Sequence, residues 1–529
     1  MMHVMSASPS LSEFEQEIQA RIGRSDWAGA AAAAAACRAA WPAAATGWHL
    51  GSIVALLRQD REAALTLVEA GLRCEPGNIG CQVQKAECLL ALGRPKEALA
   101  SAAGAAERAG EDAAALDAIG EFLVHAQEHA VALTVYDRAV AAAPKAPSLL
   151  AKRAVVQRFL GNFELAARDY EAVLALSPAD AEALKGLVEL RAQTPEDNSI
   201  AALKAALREV HPRSTEAAAL HFGLAKSYED LADYGASWRH LSAGNALERA
   251  RLDYDPATDR AVIEQIMAAF ADIEAIEPDT TGERPIFIVG LPRTGTSLVD
   301  RIIGSHSEVH SAGELTALSE AIGRTVQRAS PQARGWVGFA AALGSLGGES
   351  IAREYLAAAR ARRGIRARFC DKQTTNFFYC ALILRAFPRA RIVHVLRQPL
   401  AACYAIYKTR FEGTFPFSYD LSELADFYVG YRRLMAHWHR VLPGRIRDVA
   451  YEDIVTAHEA TTRSLLDYLE LPFEEACLHF ELNPVPITTA SSVQVRQPLY
   501  DSSLNQWRHY ALELAPVRAA LEAAGLGVE

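Results

Sequence analysis

Pro285-Ile-Phe-Ile-Val-Gly290-Leu-Pro-Arg-Thr-Gly295-Thr-Ser-Leu-Val-Asp300-Arg-Ile-Ile-Gly-Ser305-His-Ser-Glu-Val-His310-Ser-Ala-Gly-Glu-Leu315 decides how this chain folds. Ile286 to Val289 is a short apolar run of β-branched and aromatic residues, which reads as a strand buried on both faces, as in a parallel sheet. A turn on Gly290, Pro292 and Gly295 follows, and Thr296 opens a helix expected to run to about Gly304. Strand, glycine-rich turn and helix N-terminus make an anion site. The first N–H groups of such a helix have no intrahelical partner, and its dipole favours negative charge. The spacing approaches the G-x-x-x-x-G-K-[ST] loop, but Thr296 stands where that loop carries the lysine that reaches the β- and γ-phosphates. The cation lies inside the turn instead, at Arg293. An arginine without the motif lysine fits one phosphate bearing a further anionic group better than a triphosphate with magnesium, so a kinase or ATPase is the least favoured reading.

The rest of the 529-residue chain has the composition of an ordinary globular protein, 50% hydrophobic and 22% charged, and is long enough for two or more domains. Its net charge of −10 conceals an asymmetry: residues 1–283 carry −14 and residues 284–529 carry +4. The acidic half is unsuited to nucleic acid, while the mildly basic half suits an anionic ligand in a cleft. Eight cysteines include no C-x-x-C pair, which reads as reduced thiols. Neither a secretory leader nor an apolar stretch long enough to span a bilayer stands out. A cytoplasmic location is the expectation.

Upstream of the quoted stretch, residues from about 10 to 250 read as helical and repeat every 34 residues. Leu116, Gly120, Ala132, Tyr136, Ala139 and Pro144 recur as Leu150, Ala154, Ala166, Tyr170, Val173 and Pro178. The period resembles the tetratricopeptide repeat, two antiparallel helices per unit. Small residues fall where helices approach, aromatics between units, and proline ends the second helix for want of an N–H. The expected organisation is an N-terminal helical segment (1–43), an all-α repeat solenoid (44–250) and a connector (251–283). An α/β P-loop-like domain with a central parallel sheet follows (284–529). A solenoid of this kind implies a concave surface for a peptide or protein partner.

Downstream, strand–helix alternation continues. Asp371-Lys372 falls at one expected strand end, and Arg397-Gln398-Pro399 closes the strand Ala390 to Leu396. Residues 420–443 read as an amphipathic helix, Ile446 to Tyr451 as a short strand, and 453–470 as helix. Such alternation puts ligands at the carboxyl ends of the strands.

The ordered set of the 290–297 loop, Asp371-Lys372 and Arg397 resembles the sulfotransferases that use 3′-phosphoadenylyl sulfate. More closely, it looks like the bacterial proteins joining tetratricopeptide repeats to a sulfotransferase domain, and that domain is similar to protein-tyrosine sulfotransferases. The resemblance implies that Arg293, Thr294, Gly295, Thr296 and Ser297 cradle the 5′-phosphosulfate. It makes Glu314 the base, Lys372 the stabiliser of the transition state and Ser491 a serine near the transferring group. Arg397 would bind the 3′-phosphate and Tyr451 touch the nucleotide. The donor would be a co-substrate and no metal is expected, because a single sulfuryl group has less charge to neutralise than a triphosphate.

The residues themselves allow other readings. Glu314 could cap a helix beginning near Leu315, and His306 is a rival base. The chain also departs from the family pattern on the 3′-phosphate side: Ala405 replaces a serine, Thr409 an arginine and Gln506 a basic residue. Lys408 and Arg508 are candidates to compensate; otherwise the sheet half is a degenerate domain on a binding scaffold. Protein tyrosine, a sugar and a lipid-linked hydroxyl all remain open as acceptors.

Overall fold

The computed structural model describes residues 9–273, 279–360, 362–364, 366–489 and 492–528. The chain divides into two compact units, residues 1–160 and 161–529.

In the first unit, helices from Leu11–Gly23 to Pro147–Leu160 follow one another, each packed on the next. The 34-residue pattern has a steric cause. Gly120 lies against the ring of Tyr136, so that a Cβ there would sit 2.6 Å from Tyr136 Cζ. Leu116, Ala132, Tyr136 and Ala139 are all buried around that contact. The second unit opens with the same device: a Cβ on Gly186 would lie 2.6 Å from Tyr170 Cζ, and Ala166 and Val173 are buried beside Tyr170. This is a tetratricopeptide-type helical array, with helices Phe163–Leu176, Ala181–Leu190, Ile200–Glu209, Thr215–Asp230 and Tyr234–Arg249 in the second unit.

A five-stranded sheet follows in that unit: β1 (Ile286–Gly290), β2 (Val309–Ser311), β3 (Arg368–Asp371), β4 (Arg391–Leu396) and β5 (Ile446–Ala450). All neighbours are parallel, in the order β2-β3-β1-β4-β5. β1 is central and buried along its length, as its unbroken apolar sequence requires. Its alternate side chains enter two cores. Ile286 and Ile288 meet Leu298, Val299, Ile302 and Ile303 of the helix Thr296–Gly304 on one face. Phe287 and Val289 meet the larger core of Tyr355, Phe387, Tyr431 and Trp438 on the other.

That larger core does not follow the change in composition at residue 250. It takes in Phe222, Ala225 and Leu241 from the last two repeat helices, and Ile263, Ile266 and Phe270 from the helix Pro256–Ala269 and its end. Polar contacts join the same elements. Asn245 Nδ2 donates to the Tyr407 carbonyl at 3.1 Å, and Arg249 holds Glu423 at 2.7 Å. Arg410 pairs with Glu248 at 2.6 Å and Glu182 at 2.5 Å.

Candidate functional site

In this strand order the chain turns from one side of β1 to the other between β3 and β4. The carboxyl ends of β1 and β4 therefore form the switch point at which open parallel sheets bind ligands. The loop Leu291–Gly295 leaves β1 there. Thr294 Oγ1 donates to the Leu291 carbonyl at 2.8 Å and closes the turn. Arg293 takes a left-handed φ of 65°, uncommon for a side chain with a Cβ. Gly295 has φ 103°, and a Cβ on it would lie 2.7 Å from Tyr451 Cδ2, so only glycine lets the backbone pass this ring. It caps the helix Thr296–Gly304 without a side-chain hydrogen bond. The helix N-terminus therefore presents its amides to the space beside Tyr451.

Arg397 comes to the same point from the end of β4. Nη1 donates to the Arg293 carbonyl at 3.1 Å and Nη2 to the Ser503 carbonyl at 2.6 Å. The guanidinium lies 4.8 Å from the centroid of the Tyr451 ring, and its buried Nε has no hydrogen-bond acceptor. Tyr451 is fixed in turn by a 2.9 Å hydrogen bond between its hydroxyl and Ser503 Oγ. Burial lowers the Arg397 pKa, and the Arg293 pKa is lowered by burial and then by Arg397. Two desolvated guanidiniums at one point favour an anion between them.

The second expected group sits at the end of β3. Lys372, 3% exposed, donates from Nζ to Glu314 Oε1 at 2.5 Å, while Glu314 remains 44% exposed. The Lys372 backbone N–H bonds the Gly313 carbonyl at 2.9 Å, which brings the two side chains onto one side. Asp371 points the opposite way, as neighbouring strand residues must, and accepts from Tyr355 Oη at 2.9 Å inside the large core. Burial pushes its carboxyl up to about 7.

The helix Thr296–Gly304 links the two groups. Thr296 and Ser297 stand at its N-terminus, and Asp300, one turn on, accepts from Ser311 Oγ at 2.9 Å. Burial raises the Asp300 carboxyl, opposed by the charge of Lys372.

Sequence reasoning missed Asp300, which reads as an ordinary helical acid. Residues flanking Ser491 lie over the loop: Ser297 Oγ is 3.2 Å from Thr489 Oγ1, and Arg293 Nη2 donates to Gln494 Oε1 at 3.3 Å. Ser491, between them in the chain, lies outside the described residues. The sequence around Thr489, Gln494 and Ser503 carries no periodicity, and only the family pattern at Ser491 marks part of it.

The geometry bears on two alternatives from the sequence. The helix after Glu314 is Ala317–Ala329 with Thr316 at its cap, so Glu314 is not a capping residue. His306 is fully buried, with Nε2 2.9 Å from the Pro472 carbonyl and Nδ1 accepting the Glu308 N–H. Of the two cations offered as compensating, Lys408 is engaged by Glu229 at 2.8 Å and Gln506 at 2.9 Å. Arg508 donates to Asn505 Oδ1 at 2.9 Å and lies 5.3 Å from the centre of the Trp507 ring.

Residues 285–475 match the model of a sulfotransferase family. An uncharacterised protein of Aquifex aeolicus is 31% identical over 69% of this chain and 48% of its own length. A protein-tyrosine sulfotransferase of Drosophila melanogaster is 26% identical over 42% of this chain and 46% of that protein. The chain thus spans about half the length of these two relatives. Among solved structures, the sulfotransferase domain from the curacin biosynthetic pathway is 17% identical, covering 47% of this chain and 99% of that one at a TM-score of 0.34.

Proposed function

We propose that this chain, whose residues 285–475 form a sulfotransferase-family domain, moves a sulfuryl group from 3′-phosphoadenylyl sulfate to a hydroxyl acceptor. The observation that carries the reading is Arg397 meeting the loop Leu291–Gly295 at the switch point with its buried Nε lacking an acceptor. A nucleotide with anionic groups at both its 5′ and 3′ positions fits that arrangement, as does the backbone cradle at Gly295 that a Cβ would fill.

The donor supplies an activated sulfuryl group on a phosphate leaving group. The chain's own residues then have separable tasks. The N–H groups of the loop and of Thr296 and Ser297, with Arg293, hold the 5′-phosphosulfate. Arg397 holds the 3′-phosphate, and Tyr451 orients Arg397 through its ring face. Lys372 is positioned to neutralise charge that grows on the leaving oxygen; its near-complete burial strengthens that interaction. Glu314, open to solvent on one side and fixed by Lys372 on the other, takes the acceptor's proton. The helical repeats present a protein or peptide acceptor, and tyrosine is the favoured hydroxyl because a relative bears the name protein-tyrosine sulfotransferase. Eight cysteines present as thiols support a reducing, cytoplasmic setting.

A second reading has its own support. Lys408 is taken up by Glu229 and Gln506, and Ala405 is buried in the helix Pro399–Tyr407, which suits a degenerate domain on a binding scaffold. Calorimetry with adenosine 3′,5′-bisphosphate separates the two: a transferase binds it, and a degenerate domain shows no heat at millimolar nucleotide. In the transferase, Lys372→Ala lowers sulfate transfer about 10²–10³-fold and Glu314→Gln about 10²–10⁴-fold, with nucleotide binding retained. Unchanged transfer in both variants rejects the assigned roles. Incubating labelled donor with a host lysate then identifies the acceptor.

A further inference from the structure

Away from the loop and the Lys372–Glu314 pair, three side chains from three elements converge on the outer side of the sheet. His394 stands on β4 and Asp448 is its register partner on the edge strand β5. His439 lies in the last turn of the helix Leu421–Val441. His394 Nδ1 is 2.8 Å from Asp448 Oδ1, and His439 Nε2 is 2.9 Å from the same oxygen. The three ligand atoms all lie within 4.8 Å of one another, and no other group of three or more such side chains meets that condition among the described residues.

We propose that His394, His439 and Asp448 form a binding site for one divalent transition-metal ion of the zinc class. Two imidazoles and one carboxylate are a donor set for zinc, with ligand bonds of about 2.0–2.2 Å in a tetrahedron. Such bonds place ligand atoms roughly 3.3 Å apart. The separations of 2.8 and 2.9 Å from Asp448 need to open only slightly for an ion to enter, with the two imidazole nitrogens, within 4.8 Å of each other, drawing to the same spacing.

Two further observations separate this trio from a casual hydrogen-bonded cluster. The other ring nitrogen of His394, Nε2, is hydrogen-bonded to the Tyr431 hydroxyl, which leaves Nδ1 to face Asp448. An outer partner that fixes the tautomer and ring orientation is what metal-binding histidines have. Exposure is also graded: His394 is 2% exposed, His439 37% and Asp448 43%. One ligand is thus rigidly anchored, while the others open a path from solvent and leave a fourth position for water. Arg432 acts electrostatically on His394 and is the cation that the incoming ion must tolerate; Asp448 supplies the opposing charge.

The ion would tie the edge strand β5 and the end of the long helix to β4, three residues before Arg397. The sequence was expected to hold no metal; this site is separate from the transfer residues and stands whether or not transfer occurs.

The test uses the full chain stripped with chelator and then equilibrated with zinc ion. Elemental analysis after dialysis should find one ion per chain, and the thermal midpoint should rise with added zinc as binding to the folded state requires. His439→Ala, at an exposed position, should abolish both effects. Tyr431→Phe should keep the ion with affinity lowered about 10–100-fold. Substituting cobalt ion should give the visible bands of nitrogen and oxygen ligation without a thiolate charge-transfer band. No bound ion in the wild type, an unaltered ion in His439→Ala, or a thiolate band from the free cysteines would each overturn the proposal.

Discussion

Arg397 and Arg410 stand 13 positions apart in the chain and are both half-buried, yet the protein treats their charges in opposite ways. The Arg410 side chain is 5% exposed and sits between Glu248 and Glu182. Burial works against its charge, but the two carboxylates more than offset this and push its pKa up. Arg397 meets backbone carbonyls and an aromatic face, and its pKa is lowered by burial. The first arginine has its anions inside the fold and is a structural element. The second is desolvated against carbonyls and a ring, with the charge of Glu452 only partly offsetting burial, which is the pattern expected of the anion-binding role proposed above.

The largest expected effect tests the structural side. Arg410→Ala leaves the buried Glu248 with only the 4.0 Å contact to Arg251 and should lower the unfolding free energy by about 3–5 kcal/mol in urea titrations. Arg397→Ala should leave stability unchanged or raised, because it removes a desolvated charge. A comparable loss in both variants would erase the contrast.

Asp371 extends the comparison to a buried carboxyl with its pKa raised from 3.8 to about 7. The unfolded chain gives up this proton near pH 4, and the folded chain holds it until about pH 7. Stability from this group is therefore present at low pH and lost as pH rises through that window, by an amount on the order of 4 kcal/mol. Asp371→Asn keeps an acceptor for Tyr355 and should flatten the stability–pH profile between pH 4 and 7. An unchanged slope would show that Asp371 does not hold its proton.

Nucleotide binding probes the functional side with a smaller expected effect. Arg397→Ala should weaken adenosine 3′,5′-bisphosphate by about 1.5–3 kcal/mol, the worth of a hydrogen bond to a charged group. A conservative, folded replacement at Arg410 such as Lys should not weaken it. Calorimetry showing equal losses would place the nucleotide elsewhere. The mildest change, Gly295→Ala, forces a Cβ toward Tyr451 and should weaken the same nucleotide by roughly 1–3 kcal/mol through backbone strain, read by the same titration.

How much of this was legible depended on how local the signal was. The run Ile286 to Val289, the turn and the helix to Gly304 lie within 19 consecutive residues, and their pattern states their structure. β2 was invisible because Val309–Ser311 is a three-residue strand of mixed polarity, placed by its pairing with Arg368, Phe369 and Cys370. Lys372 and Glu314 could be singled out by family pattern, but their hydrogen bond across 58 residues could not. The cluster of His394, His439 and Asp448 has no motif spacing; sheet register and one helix end create it. Lys408 read as a spare cation until the fold set Glu229 against it.

The shared core of Phe222, Leu241, Phe270, Phe287 and Trp438 has a consequence for the protein's history. A sheet half that had been joined to its repeats as a detachable cassette would keep a sealed surface beneath them. Here the last two repeat helices supply apolar side chains, Glu229 and Glu248 to the half that carries the loop. A sheet half separated from residues 215–249 would therefore lose both part of its apolar core and the carboxylate partners of Lys408 and Arg410.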